Sequence, residues 1–415
     1  MSGAVVILVA IFAYLLFIWK SGKVYPILYL FLFVYIVQYV VSVYLIYNEY
    51  PVLRKQMPLS QEQLFDFVIP ALAVLFLGVF LFNKDLPLEK AIKQVDKKQA
   101  MVLGHILVFS SYFFEVLEAL NVPGLKPITS FTYYLKFIGG MAYLFSPSIV
   151  GYLILGFVYL DLVRDALNVG IFIDFFVWST YLFFIVCLLR QFSFLVRFGF
   201  IVGAVPVLVL IQSVKYEYRA ETWSGRKEVG VGSLTDLAED KQKKENDPFS
   251  KSEGVIRTVG RLNQGWHVGM VLKRVPKRQP FADGSDFLTD IEGTVLPRFF
   301  FPDKKVIGGQ DKFKKYTGHE LTKSTSMTIG VLGDFYINFG RWGAFIGLFI
   351  FGAVVAKLLY FFISRHVLTD PVNLIWVPFL FSYLVRANND FYIVINSFVK
   401  GYLIFLLVNY VRKRM

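Results

Sequence analysis

The chain has 415 residues, of which 56% are hydrophobic and 18% aromatic, and its formal net charge is +13. A soluble chain of that length divides into two or three domains of mixed composition, so this composition excludes a water-soluble surface. The apolar residues come in blocks of about twenty, the length that crosses a hydrocarbon core of about 30 Å at about 1.5 Å per residue.

In chain order the blocks predicted as helices are roughly 2–19, 25–47, 64–83, 101–119, 128–145, 147–166, 170–189, 194–214, 341–363, 371–386 and 390–411. They predict an all-α polytopic membrane protein with about 11 transmembrane helices, within a range of 10 to 12. The first block is expected to be retained, because Lys20 and Lys23 follow its apolar run where a secretory signal has its cations in front. Ser146 and Pro147 leave almost no loop after Phe145, as in a broken helix. The stretch 326–340 is semi-polar and glycine-containing, a candidate re-entrant segment of the kind that needs cover from protein or water. Three regions follow: helices over 1–214, a large polar insert over 215–325 and helices over 326–415.

Lys and Arg in short loops mark the cytoplasmic side. With the N-terminus outside, Lys20, Lys23, Lys84, Lys90, Lys93, Lys97, Lys98, Arg190, Arg365 and the run Arg412, Lys413, Arg414 all fall inside. The opposite loops carry the thinner set Arg54, Lys55, Lys126 and Arg164, and the insert is expected outside as one large extracytoplasmic loop. Cys187 is the only cysteine and lies in an apolar block, so no internal disulfide is possible and no Cys/His spacing asks for zinc.

The insert holds 21 Lys plus Arg against 16 Asp plus Glu, which calls for an anionic ligand. Its first part, 228–252, reads as a solvated stretch; Gly230 and Gly232 lack the strand, helix and Lys-Ser/Thr of a nucleotide loop. Nucleic acid is not an expected partner on this face of a multispan protein. A phosphorylated lipid headgroup is, because the Arg fork meets phosphate oxygens in pairs and Lys adds a point charge. Arg257, Arg261, Asn263, His267, Arg298, Asp303, Lys304 and His319 are the polar residues singled out there. Ordinary anionic headgroups of membrane lipids are the plainer ligands for the same cations.

Two further clusters fall on the same expected face. One is 330–343, where Asp334 and Asn338 are four apart and would share one helix face, followed by Arg341. The other is Arg386, Ala387, Asn388, Asn389 and Asp390, between the last two blocks. Within the blocks, Lys136 stands near the middle of the fifth, where a charge costs a few kcal/mol unless paired or hydrated. Glu115, Asp66 and Asp174 are its candidate partners, and a structural ion pair is the plain alternative to a functional role. His105 reads as a packing residue.

The segments Leu296-Pro297-Arg298-Phe299-Phe300-Phe301-Pro302-Asp303-Lys304-Lys305, then 330–340, then Val385-Arg386-Ala387-Asn388-Asn389-Asp390-Phe391 resemble, in that order, the oligosaccharide repeat-unit polymerases of the O-antigen polymerase type. That family has patterns close to Pro-Arg-hydrophobic-Trp-Pro-Asp-Lys-Pro, Gly-x-x-Gly-Glu-x-Tyr-x-Asn-Phe-Gly and a late Arg-Gly-Asp-Phe. This chain departs from them at Phe301, Lys305 and Asp334, and by three residues between Arg386 and Asp390. The resemblance covers about 250–400 in specific residues.

It implies an inner-membrane, inverting, metal-independent glycosyltransferase without cofactor, of the GT-C-like multispan class. Its substrates would be a polyprenyl-pyrophosphate-linked glycan donor and a lipid-linked acceptor, and its partners a chain-length regulator and a flippase. In that chemistry guanidiniums stabilise the leaving pyrophosphate, a role for Arg298, Arg257 and Arg261 with Lys304 and Arg341 in support. Arg386, Asp390, Asn263, Asn338 and Lys136 are expected to contact substrate. Acceptor activation needs a carboxylate or His, and His319, Asp334, His267 and Asp303 all stand as candidates. A glycan ligase would use the same donor. A flippase or transporter would show repeated halves and a charged central cavity, and a structural assembly factor would not need the arginines.

Overall fold

A computed structural model gives the fold and describes residues 2–120, 131–170, 172–223, 253–295, 309–322, 325 and 327–414. Among these residues every regular element is helical. Among the described residues, each of the eleven predicted blocks contains a helix. Before the insert come α1 Gly3–Lys20, α2 Ile27–Asn48, α3 Gln61–Phe82, α4 Lys97–Ala119, α5 Leu135–Phe145, α6 Ile149–Val169, α7 Ile173–Arg190 and α8 Phe194–Trp223. The insert contributes α9 Glu253–Leu262, α10 Gly265–Arg274, α11 Ser285–Val295 and α12 Gly309–Thr317. After it come α13 Gly330–Phe362, α14 Trp376–Val385 and α15 Phe391–Arg412.

Among the described residues eight helices are long and apolar enough to cross a membrane: α1, α2, α3, α4, α7, α8, α13 and α15. The eleven predicted spans are thus not equal. The α5 helix and the 371–385 segment are short, and α6 carries Asp161, Arg164 and Asp165 in its second half. Large apolar side chains such as Phe12, Phe109, Leu153 and Leu195 point outward, the surface a bilayer covers.

Side-chain contacts sort the loops into two ends. At one, Lys20 pairs with Asp85 at 2.5 Å, the Leu88 amide donates to the Lys23 carbonyl, residues 89–92 lie against 371–375, and Arg412 pairs with Asp370. At the other, Arg341 pairs with Asp66 and Arg386 with Asp174, each at 2.7 Å, and the insert helices α9 and α10 lie against α2 and α3. Lys20, Lys23, Lys90 and Arg412 therefore share one end, and the acidic partners and the insert share the other.

The α3 and α13 helices cross closely. A Cβ on Gly78 would fall 2.1 Å from the Phe349 carbonyl oxygen, and one on Gly352 would fall 2.3 Å from that of Leu75. Two bare backbones approach where apolar burial cannot drive helices together. Pro70 inside α3 has no N–H for the carbonyl four residues back, that of Asp66. Arg341 takes that carbonyl with Nη2 at 2.6 Å while Nη1 meets the Asp66 carboxylate. One guanidinium repairs the break and neutralises the charge beside it.

The α13 helix is broken at Gly340, whose φ of 65° and ψ of −170° suit glycine alone. Residues 330–339 form a short first half, buried almost throughout. The carbonyls left free at its end are taken by the insert: Ala282 donates to Ile337 at 2.8 Å and Gly284 to Asn338 at 3.1 Å. In α2, a π-turn over Val37–Val41 leaves the Gln38 carbonyl to accept the Gln264 amide at 3.1 Å. The insert is stitched to the bundle through backbone at both places.

Candidate functional site

The first half of α13 carries Asp334, fully buried, and Asn338 one turn on, sharing a face as their spacing predicts. Asn338 donates to the Asp334 carbonyl at 3.0 Å and accepts the Phe287 amide at 3.3 Å, so it caps α11 and ties the insert to α13. Asp390 precedes α15. Its Oδ1 accepts the amides of Ile329 and Gly330 at 2.9 Å each, and Asp334 Oδ2 accepts the amide of Phe391 at 2.8 Å. Each carboxylate thus sits at the N-terminus of the other's helix, where free amides and the helix dipole favour negative charge.

Two insert residues complete the cluster. Lys312 of α12 lies 2.6 Å from Asp334 Oδ1 and 3.5 Å from Asp290 Oδ2 of α11. Phe287 stacks on Phe391 with ring centroids 4.0 Å apart and meets Phe335 at 4.8 Å, closing the apolar side. Three buried carboxylates share one ammonium, so they cannot all be charged without heavy cost. Burial alone would pull Lys312 down, but Asp334, Asp390 and Asp290 push it up and keep it charged. Burial raises Asp290 to about 7 against the pull of Lys312. Asp390 is raised by burial and by Asp334, opposed by Lys312 and its two amide donors. Asp290 and Asp390, both raised, are the carboxyls in the cluster that hold a proton near neutral pH.

Arg386 stands apart from this cluster, in an aromatic crevice with Tyr134, Trp178 and Tyr383 and the hydroxyls of Ser382 and Ser397. Its Nη2 donates to Asp174, while its Nε and the Trp178 Nε1 have no partner among the described residues. Tyr134 stacks on Trp178 at 5.7 Å. An aromatic wall beside a guanidinium with a spare N–H suits a sugar ring or a phosphate oxygen.

Lys136 is fully buried, paired with Glu115 at 2.8 Å and with Asp161 at 2.5 Å. Tyr133 lies under its ammonium at 4.3 Å, and Arg164 neutralises Asp161 from the far side. Glu115 is the predicted partner. Asp66 and Asp174 are not: they serve Arg341 and Arg386, and Asp161 takes their place. The network joins α4, α5 and α6, the role of a structural ion pair between helices.

Arg341, read as a phosphate ligand, is engaged by Asp66 instead. Asn263 accepts the Trp266 amide at 3.2 Å and so caps α10. Arg257 and Arg261 lie on α9, the first half-buried and the second exposed. His267 is buried, bonded through Nδ1 to Gln264 Oε1, and burial lowers it to about 4, so it is neutral and a weak base. His319 is exposed, its ring edge-on to Trp266 at 5.6 Å. Arg298, Asp303 and Lys304 lie outside the described residues. His105 packs as expected, its Nδ1 2.8 Å from the Tyr143 hydroxyl.

Asp334, Asn338 and Asp390 are brought together; Arg386 is near Asp390 in sequence but belongs to a different crevice. Asp290, Lys312 and Asp161 escape sequence reasoning. Lys312 sits in Gln-Asp-Lys-Phe-Lys-Lys, where it is one cation among three. The apolar spacing of Phe313 and Tyr316, which are buried, is the available signal that α12 has an inner face.

Comparison with curated proteins gives no match, and neither does comparison with solved structures. A family described as a domain of unknown function (DUF8712) matches residues 30–415, nearly the whole chain, spanning the insert and the helices on both sides of it. The chain belongs to that family.

Proposed function

We propose that this membrane protein is a glycosyltransferase that polymerises polyprenyl-pyrophosphate-linked oligosaccharide repeat units. In this reading it resides in a bacterial inner membrane with its N-terminus and insert outside and its C-terminus in the cytoplasm. The observation that supports it best is the meeting of Asp334 and Asp390. Two motif segments that resemble the polymerases, 330–340 and 385–391, lie far apart in sequence and close around one buried cluster. The insert bearing the third segment docks on the same cluster through Lys312 and Asp290.

In the reaction an acceptor hydroxyl oxygen bonds to the donor's anomeric carbon as the bond from that carbon to the pyrophosphate oxygen breaks. The electron pair leaves with the lipid pyrophosphate, and the hydroxyl proton passes to a base. Asp290 fits that base among the described carboxylates, because its affinity for a proton lies near neutrality and its lysine partner holds it only loosely at 3.5 Å. The Arg386 crevice would receive the glycan, with Tyr134 and Trp178 as stacking surface. Arg298, Arg257 and Arg261 would carry the pyrophosphate charge.

The test supplies purified protein with a polyprenyl-pyrophosphate repeat unit and resolves the products on a gel, with Arg298→Ala, Arg257→Ala and Asp290→Asn in parallel. A ladder lost in all three supports the polymerase. No ladder from folded protein, or a ladder untouched by the arginine changes, overturns it, and a single transfer product assigns a ligase. For orientation, Asp240→Cys in a Cys187→Ala background should label from outside; labelling from the cytoplasm reverses the topology.

A further inference from the structure

At the end of the bundle away from the insert, the start of α2 and the ends of α3 and α13 line a narrow crevice of ≈ 290 Å³, the solvent at its mouth included. Its walls are apolar, from Leu28, Leu359 and Ile363, and Lys84 and Asp85 stand at it. Tyr25 also lines it, buried to 2% exposure with a hydroxyl that finds no hydrogen-bond partner among the described residues. A buried hydroxyl left unpaired is destabilising, so its setting favours a ligand that accepts from it.

The charges around the crevice are unequal. Asp85 is engaged by three donors: Lys20 at 2.5 Å, Tyr29 at 2.8 Å and Asn83 at 3.1 Å. Lys84 and Lys23 have no carboxylate partner among the described residues. The Lys84 ammonium meets the Tyr360 ring at 5.7 Å and that of Lys23 the Trp19 ring at 4.3 Å. What remains is two cations, an idle hydroxyl and an apolar cleft at the ends of three membrane-spanning helices.

We infer that this crevice binds an anionic phospholipid, its phosphate held by Lys84 and the Tyr25 hydroxyl with Lys23 at the rim, and its glycerol and acyl carbons against Leu28, Leu359 and Ile363. The crevice is narrow and partly open to solvent, so the phosphate sits at its mouth and the chains run out along the helices. Cations and aromatic rings at a helix end are the groups that hold lipid at the interface. The inference is independent of any glycosyl transfer at the opposite end.

The test is native mass spectrometry of the purified full chain with dioleoyl phosphatidylglycerol, dioleoyl phosphatidylcholine or millimolar inorganic phosphate. Phosphatidylglycerol should be retained over phosphatidylcholine and should survive added phosphate. Lys84→Gln should weaken retention about fivefold, the loss of one surface cation. Tyr25→Phe should weaken it about threefold, the loss of one hydrogen bond. Lys84 is exposed, so its variant keeps the fold, which an unchanged thermal midpoint verifies. Equal retention of the two lipids, displacement by inorganic phosphate, or an unchanged Lys84→Gln would each overturn the assignment.

Discussion

Asp334 and Asp390 exchange helix caps: Asp390 holds the first amides of α13, the helix that bears Asp334, and Asp334 holds the first amide of α15, which Asp390 precedes. Neither helix start is closed by its own side chain, so α13 and α15 specify one another's position. Lys312 locks the insert onto that exchange.

Removing one member should leave an uncompensated buried charge. Asp334→Ala strands Lys312 and the Phe391 amide, and a cost of about 3–5 kcal/mol is expected from a broken buried pair. Lys312→Met on the same background should recover part of it. A double-mutant cycle read by thermal unfolding in detergent checks this, and additive losses would show that the pair is not coupled.

Asp290 predicts a pH signature. Its folded value is raised to about 7, above the ordinary value of 3.8, so the folded chain binds an extra proton between those limits. Stability from this group is therefore full at low pH and is lost as pH rises towards 7. His267, lowered to about 4, works in the opposite direction, losing stability as pH falls from 6.5. The clean measurement is the difference between Asp290→Asn and the parent. The variant should gain relative stability from pH 4 to pH 7 and level off above, and a flat difference would refute the assignment.

Gly340 cannot be replaced cheaply. Gly340→Ala puts a Cβ on a backbone that favours glycine alone, at a cost of about 1–3 kcal/mol. Straightening the helix would also part the Ile337 and Asn338 carbonyls from Ala282 and Gly284. Amide exchange at Ala282 and Gly284 should rise in the variant, and unchanged exchange would show that the break is not what seats the insert.

Arg341 should prove structural. Its exposed pair with Asp66 is screened by solvent and contributes little, so the bond to the Asp66 carbonyl carries most of its effect. In Pro70→Ala the residue at 70 regains an N–H for that carbonyl, so Arg341→Ala should cost less there than in the parent. Equal costs in both backgrounds would sink this account.

The bundle was legible because apolar runs of membrane length are a strong signal: among the described residues each predicted block contains a helix, α2 and α15 within a residue or two at each end. The four insert helices were not predicted, since α9 to α12 are short and charged and owe their form to packing against α2, α3, α8, α13 and α15 and against one another. Asp334 and Asn338 could be paired by helical spacing. Asp290 and Lys312 could not, because their meeting depends on how α11 and α12 fold back on α13, and no local periodicity encodes that. The arginines show the limit of reading by residue type. Arg341 and Arg386 look alike in sequence, yet one mends a proline break and the other keeps an N–H turned to an aromatic crevice.

Because Asp390 follows α14, the amides that open α13 wait for a residue made some sixty positions later. A ribosome releasing this chain delivers the insert and α13 before the carboxylate that anchors them exists. The seating of α13 is therefore completed only when Asp390 arrives, and a chain cut short at Val385 would lack the anchor for α13 however well its earlier helices had inserted.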